Sequence, residues 1–233
     1  MFKKNVTLLA LALSGACLSS NASAYLMIYS PTVEYGETEI ELYGQYLIDD
    51  NPAIDGEQQL VLEFGKGITP KLFLEAKIEI EKKPHGDFET EAVAIEGVYQ
   101  ITEQGEYSWD VGLLGEIEYS TERDELKEIE FGPILATELG SNMTFTTNII
   151  AEYEKQESEI EGSVSAQLKW RLGKSFEPGI EVYVSEHKTS VGPVAMGKIK
   201  TGENKFGYHV GWLVGMNDST ADNLFKFQIE YEF

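Results

Sequence analysis

Carboxylates at alternate positions are the side chains of this sequence with the clearest capacity for chemistry. Glu-x-Glu pairs recur along the chain, and lysine, arginine and histidine share their parity in several segments. Paired carboxylates can act as general acid and base, whereas a ring of like charges around a pore selects counter-ions. We predict a common interior for Glu75, Lys77, Glu79, Glu116, Glu118, Glu128, Glu130, Glu152, Lys169, Arg171, His209, Lys226 and Glu230.

The carboxylate spacing alone does not select one function. Glu-x-Glu repeats arise automatically when one face of an acidic strand points into water. The pattern therefore leaves three interpretations open: a cation-favouring pore, a closed interior filled by salt bridges and water, and a carboxylate-based hydrolase. We predict that the protein is not an enzyme and needs no cofactor.

The three histidines give little support to a second kind of catalysis. A Ser/His hydrolase needs a serine and a polar orienting group beside the histidine. Ser185 and Ser190 flank His187, but neighbours in sequence seldom form such a site. His85 falls in a predicted loop and His209 faces the predicted interior.

The last twelve residues show which elements position the charged groups. Strict alternation of apolar and polar side chains predicts a strand whose two faces meet different solvents. The apolar set is Phe225, Phe227, Ile229, Tyr231 and Phe233. Twelve such segments are separated by turn residues, at 39–48, 58–65, 71–81, 89–100, 107–119, 128–139, 143–154, 163–172, 177–185, 191–200, 205–214 and 222–233.

The basic residues decide which face of these strands is outside. A lysine or arginine on the lipid face at mid-bilayer costs roughly 2–4 kcal/mol. In the third, eighth, eleventh and twelfth segments, every lysine and arginine has the parity of the polar set. The same rule applied to the tenth segment turns Lys198 and Lys200 inward. A soluble sandwich also alternates, but aromatic residues gather near the segment ends, as interfacial girdles do. We predict an all-β, closed, antiparallel up-and-down transmembrane barrel of about 12 strands, within a range of 10–14.

Three prolines oppose this scheme, because proline cannot donate a hydrogen bond to a strand ladder. Pro133, Pro178 and Pro193 lie within or near predicted strands. We expect Pro178 and Pro193 to begin their strands. Pro133 requires a bulge or a shifted strand boundary.

The first 24 residues read as a cleavable secretory signal, which leaves residues 25–233 as a single barrel domain. Lys3 and Lys4 precede a short apolar run, and Ala22-Ser23-Ala24 is a small-x-small cleavage site. An alternative is a lipoprotein signal acylated at Cys17. Cys17 is the only cysteine, so the predicted mature chain has no disulfide and no thiolate site.

The chain is strongly acidic. Its 18 basic and 40 acidic residues give a formal net charge of −22. Loss of Lys3 and Lys4 leaves 16 basic residues against 40 acidic ones, a net charge of −24 for residues 25–233. Such a surface repels phosphates, so we predict no nucleic-acid partner. Exposed acids at residues 49–51 and 217–218 could hold Ca²⁺ or Mg²⁺ loosely.

The predicted signal, the even strand count and the closing Phe225-x-Phe227-x-Ile229-x-Tyr231-x-Phe233 pattern resemble the outer-membrane β-barrels of Gram-negative bacteria. The resemblance implies residence in the outer membrane, with its lipid and lipopolysaccharide as partners, and divalent ions bridging loop acids to lipopolysaccharide phosphates. It also implies that the closing pattern is the signal read by the barrel-assembly machinery.

A narrower resemblance rests on residues 170–183 and on Val191-Gly192-Pro193. These stretches are similar to the small barrels related to the MetA component of phenol-degradation pathways. That resemblance implies a transport role, with no catalytic residues to carry over and no assigned substrate. Together with the inward carboxylates, it leads us to predict a channel for small solutes or cations. The alternative is a non-conducting barrel with a structural role in the envelope.

Overall fold

Twelve antiparallel strands follow one another in chain order and close into a barrel through pairing of the first with the last. The computed structural model describes residues 27–156 and 158–233. The strands are β1 (Thr38–Ile48), β2 (Gln58–Thr69), β3 (Leu72–Lys82), β4 (Glu89–Gln100), β5 (Asp110–Ser120), β6 (Glu125–Leu139), β7 (Met143–Glu154), β8 (Glu159–Trp170), β9 (Glu177–Ser185), β10 (Thr189–Thr201), β11 (Asn204–Gly215) and β12 (Asn223–Glu232). The predicted signal segment, 1–24, with Cys17, lies outside the described residues.

Alternation along each strand separates an apolar outer face from a polar inner face. In β3, Leu74 and Ile78 are exposed on the outside, whereas Glu75, Lys77 and Glu79 are buried inside the barrel. Closure leaves the sheet without an edge, since every strand has two ladder partners. The fold confirms the predicted all-β closed barrel, including the strand count of twelve.

The two ends of the barrel differ. The main chain of Thr38 accepts a hydrogen bond of 2.9 Å from the Phe233 N–H, so the start of β1 and the end of β12 share one end. We call this the terminal end and the opposite one the distal end. No helix in the described part of the chain is long and apolar enough to cross a membrane.

Pro133 and Pro193 lie inside their strands, which corrects two expectations. Pro193 is the fifth residue of β10 rather than its first. Pro133 pairs with Leu113 of β5, and the β6–β7 register is the same before and after it, with no bulge. Pro133 interrupts only the ladder between β6 and β7, and Pro193 interrupts only the ladder between β10 and β11. Each interruption arises because proline has no N–H to donate. Pro178 is the second residue of β9, close to its predicted position at the strand start.

Candidate functional site

Residues 27–33 lie against the inner wall of the barrel, and residues 34–37 continue to its terminal mouth, where Tyr35 is exposed. We call residues 27–37 the inner segment. Tyr29 is fixed at mid-barrel by Asn148 of β7, whose side-chain Oδ1 accepts from the Tyr29 N–H at 2.8 Å. The Asn148 Nδ2 donates in return to the Tyr29 carbonyl at 3.0 Å. Nearer the terminal end, the Val33 N–H donates to Gln100 Oε1 at 2.8 Å. Side chains of the barrel wall thus replace the strand partner that this stretch of backbone lacks.

Apolar side chains on the inner wall form the contact surface for this segment. Met27 packs against Tyr43 and Val61. Ile28 packs against a cluster on β9–β12, and Tyr29 and Val33 pack against a cluster on β3–β7. These clusters consist of Tyr183, Val194, Leu213 and Leu224, and of Phe73, Val98, Leu114, Ile134 and Ile150. Alternation along the strands did not predict the inner segment. The apolar residues at inward-facing strand positions were the feature of the sequence that could have indicated it.

Lys77 of β3 is the centre of a buried ion-pair group. Its Nζ lies 2.5 Å from Glu96, 2.8 Å from Glu116 and 3.1 Å from Glu63. The same nitrogen donates to the Tyr29 hydroxyl at 3.2 Å. One lysine therefore holds three carboxylates of β2, β4 and β5 together and joins them to the inner segment.

Lys127 is a functional residue that the sequence reasoning missed. β6 begins at Glu125, three residues before the predicted boundary. A register shift between β5 and β6 leaves Lys127 without a ladder partner, and both Lys127 and Glu128 turn inward. Lys127 forms an ion pair with Glu118 and lies 3.7 Å from Glu79. Strict alternation from Glu128 and Glu130 would place the Lys127 side chain on the lipid face. The bulge turns it into the lumen instead.

The opposite wall carries a second buried group, centred on Glu181 of β9. Glu181 accepts from Gln167 at 2.7 Å and from the Tyr183 hydroxyl at 2.9 Å, and it lies 3.0 Å from Lys226. His209 Nε2 lies 3.0 Å from Glu181, and Nδ1 lies 3.3 Å from Gln228. The His209 ring thus lies between a carboxylate and an amide, where it packs as part of the Glu181 group.

Three further carboxylates lie together without a lysine. Glu128 and Glu130 of β6 and Glu152 of β7 bring one oxygen each within 4.8 Å of one another. All three side chains are buried. Glu130 lies directly opposite Glu152 in the β6–β7 ladder.

A cavity of about 1020 Å³ occupies the lumen on the side of β6–β12, towards the terminal end. The inner segment forms one wall, through residues 28–30 and Thr32. Lys169 and Arg171 line the cavity and pair with Glu177 at 3.0 Å and Glu138 at 2.6 Å. Its remaining basic residues are Lys174, Lys198, Lys200 and Lys205.

Ion pairs hold the inner segment at the terminal mouth. Lys205 of β11 lies 3.1 Å from Glu34 and 3.5 Å from Glu37 and also pairs with Glu232. Lys198 pairs with Glu232 and lies 2.7 Å from Glu230. Partial burial and the adjacent Glu232 carboxylate raise the pKa of Glu37 to about 7.

The thirteen predicted interior residues all have their side chains in the lumen, but they do not form one ring. Eleven are buried, and Lys169 and Arg171 are half-buried at the cavity. Apart from Glu75, the buried ones are divided among the Lys77, Lys127 and Glu181 groups, the carboxylate trio and the terminal mouth. Most of the carboxylates therefore face other side chains rather than open water. The apolar residues of the closing pattern point outward from β12. Recognition of Phe225, Phe227, Ile229, Tyr231 and Phe233 by the assembly machinery stays a prediction.

The acids of the distal loops act as caps for backbone N–H groups. Asp49 accepts from the N–H of Asn51 at 2.6 Å and from that of Asp222 at 3.0 Å. Asp222 accepts from the Asp50 N–H at 3.2 Å. Loose binding of Ca²⁺ or Mg²⁺ at residues 49–51 and 217–218 stays a prediction.

Comparison with known proteins places this barrel among channel folds. The NanC porin is similar with a TM-score of 0.54 and 11% identity, over 83% of this chain and 98% of that one. The COG4313 outer-membrane channel from Pseudomonas putida F1 is similar with a TM-score of 0.55 and 12% identity, over 91% and 98%. No protein-family model and no curated protein sequence matches the chain. The chain has the fold of outer-membrane porins and channels. The narrower resemblance to MetA-related barrels stays a prediction.

Proposed function

We propose that this protein is an outer-membrane channel for small polar solutes whose passage is narrowed by its own inner segment. The observation that carries the proposal is a polar lumen with a cavity of about 1020 Å³, enclosed by a barrel whose outer face is apolar. Outer-membrane lipid, lipopolysaccharide and the barrel-assembly machinery are the partners that such a barrel requires. The similarity to porin and channel folds supports this assignment.

The size and lining of the cavity favour small polar solutes. Pockets of ~300–1,000 Å³ are typical of small-molecule sites. Charged side chains of both signs reach the cavity, and Lys169 and Arg171 each pair with an acid across the wall. Paired charges offer hydrogen bonds without a strong field of one sign. The intact channel should therefore discriminate weakly by charge.

The acidic interior becomes available only when the inner segment is displaced. Among the described residues, thirteen buried glutamates stand against three buried lysines, namely Lys77, Lys127 and Lys226. Tyr29, Val33 and Met27 cover parts of this interior. A barrel without residues 27–37 should thus be wider and should prefer cations, since unpaired carboxylates select counter-ions.

Planar-bilayer recordings test the proposal with protein refolded from a form that lacks the predicted signal. We expect small discrete steps from the intact chain. The variant lacking residues 27–37 should show larger steps and a cation preference. The paired substitution Asn148→Ala with Gln100→Ala removes the two side-chain clamps and should increase the frequency of large openings.

Gln45→Ala is the matched control, because Gln45 is an inward amide that bonds Gln59 at 3.1 Å and does not hold the segment. It should conduct as the intact chain does. Equal conductance of the intact chain and the variant lacking residues 27–37 would remove the inner segment from the mechanism. Flat traces from all folded variants would reject the channel.

A second candidate is a non-conducting barrel with a structural role in the envelope. The burial of the inner segment against three apolar clusters favours it, because such packing stabilises a filled lumen. The same recordings separate the candidates, since this one predicts no steps even without residues 27–37. Both candidates agree with the proposal that the protein is not an enzyme, in which His209 serves to hold Glu181 and Gln228.

A further inference from the structure

We propose that Glu128, Glu130 and Glu152 bind one Ca²⁺ ion inside the barrel. Their ligand oxygens all lie within 4.8 Å of one another. Two oxygens bound to the same Ca²⁺ at roughly 2.4 Å can be no more than about 4.8 Å apart. One ion can therefore reach all three carboxylates with little movement of the side chains.

The burial of the trio is the second, independent observation. The exposed fractions of Glu128, Glu130 and Glu152 are 2%, 2% and 6%. Glu128 Oε1 and Glu130 Oε1 are inaccessible to solvent and accept no hydrogen bond from a donor group among the described residues. The polar contacts of Glu128 are with the carboxyl groups of Glu130 and Glu152, which leaves the trio without a cation from the described part of the chain. Buried polar atoms are nearly always paired, and an unmatched carboxylate oxygen is among the costliest to leave unpaired.

Lysines lie beside eight of the thirteen buried glutamates of the described residues, whereas Glu41, Glu75 and the trio lie outside those ion pairs. Lys77, Lys127 and Lys226 each lie within ion-pair distance of glutamates on neighbouring strands. Within residues 27–156 and 158–233, no lysine or arginine lies within 4.0 Å of a carboxylate oxygen of the trio. The ladder adds to the repulsion, since Glu130 is directly opposite Glu152 and Glu128 is opposite Glu154.

The surroundings make a divalent cation the fitting counter-charge. Glu116 and Glu118 of β5 and Glu161 of β8 add negative charge on both sides. The basic groups that face the trio are Lys77 towards Glu130, Lys127 towards Glu128 and the loop residue Lys188 towards Glu152, and none of these described side chains forms an ion pair with the trio. Three adjacent carboxylates can supply up to six oxygens in irregular geometry, which suits Ca²⁺. Mg²⁺ requires near-octahedral geometry and keeps several waters, for which a buried site has less room. A bound Ca²⁺ would fasten β6 to β7.

The site does not depend on the proposed channel function, and calorimetry on the full barrel in detergent tests it. Protein stripped with chelator is titrated with CaCl₂. We expect the intact chain to bind one more Ca²⁺ per barrel than Glu130→Gln/Glu152→Gln. Chelator should lower the unfolding temperature of the intact chain and leave that of the double variant unchanged.

Glu41→Gln is the matched control, because Glu41 is also buried with an unpartnered oxygen but lies on β1, outside the trio. It should bind Ca²⁺ as the intact chain does. Glu152→Gln alone keeps two ligands and should weaken binding at least about tenfold, which covers failure of the double variant to fold. Equal Ca²⁺ stoichiometry and affinity in the intact chain and both trio variants would overturn the proposal, as would an intact chain that binds no Ca²⁺.

Discussion

Lys77 shows how single residues keep a charged interior stable. Its ammonium group is the shared partner of Glu63, Glu96 and Glu116 on three strands. A buried ion pair contributes little compared with an apolar pair of the same shape, but removal of one partner leaves the other charge uncompensated. The stability of this wall therefore depends on one lysine more than on any one of its carboxylates.

Substitution Lys77→Met should destabilise the barrel by about 3–5 kcal/mol, because three buried carboxylates lose their common counter-charge. Urea unfolding in lipid vesicles, followed by tryptophan fluorescence, measures the change. Lys71→Met is the control: its partner Glu103 is exposed, and the Lys71 side chain is itself 41% exposed. This surface pair should cost less than about 1 kcal/mol. Equal unfolding midpoints for the two variants would show that the buried ion-pair group contributes no more to the free energy of unfolding than the exposed pair does.

Alternation in the sequence was sufficient to predict which carboxylates face the lumen, because a strand has only two faces. It was insufficient for Lys127, whose direction depends on an extra residue in the β6 ladder. A bulge is decided by pairing with β5, which no periodicity within β6 reveals. The partners of each carboxylate were equally out of reach, since contacts such as Lys226 with Glu181 join strands that are three apart in the barrel.

The Gly-Pro pairs of β6 and β10 show how an element accommodates a residue that its ladder excludes. A Cβ atom on Gly132 would lie 2.0 Å from the Ile149 carbonyl oxygen, and one on Gly192 would lie 2.0 Å from that of Trp212. Glycine thus allows neighbouring backbone to approach closely where proline interrupts the ladder. Both strands keep their register across the interruption.

Gly132→Ala should destabilise the barrel by about 1–3 kcal/mol, because the new methyl group meets backbone that cannot rotate away. Gly115→Ala is the control, since its nearest neighbour would be Phe131 at 3.8 Å, an ordinary contact. Both substitutions restrict the unfolded chain to the same extent, so the difference in urea midpoint isolates the clash. If the Gly132→Ala barrel were as stable as the control, the close approach of β6 and β7 at Gly132 would not contribute to stability, and the prediction would be wrong.

The inner segment is the element that the sequence did not reveal. Residues 27–37 show no alternation. Their position depends on apolar clusters whose residues come from eleven strands, which meet only once the barrel has closed. Apolar residues of inward parity, such as Val61 and Leu114, were unexplained by a water-filled lumen. They become intelligible once another part of the chain occupies it.

At the scale of the whole molecule, the fold depends on which strand positions face lipid and which face the lumen more than on the identity of each residue. Two channels share the fold at 11% and 12% identity, because lipid outside and polar groups inside constrain only the alternation. The same reasoning made the strand count predictable from the sequence. Alternation does not determine what fills the lumen. The interior therefore differed most from the sequence-based prediction, which placed the charged residues around one common interior and included no inner segment.

A lysine on the outer face should report the membrane through its depth. Phe131 lies in the middle of β6 and is 57% exposed, whereas Ile160 is the second residue of β8 and is 74% exposed. Phe131→Lys should cost roughly 2–4 kcal/mol in lipid vesicles, and Ile160→Lys only about 0–1, because the charge penalty falls towards the interface. In a soluble barrel, both side chains would face water, and a lysine at either position would change the free energy of unfolding very little. Equal, small changes in the urea midpoint for both variants would therefore contradict the assignment of the outer face to lipid.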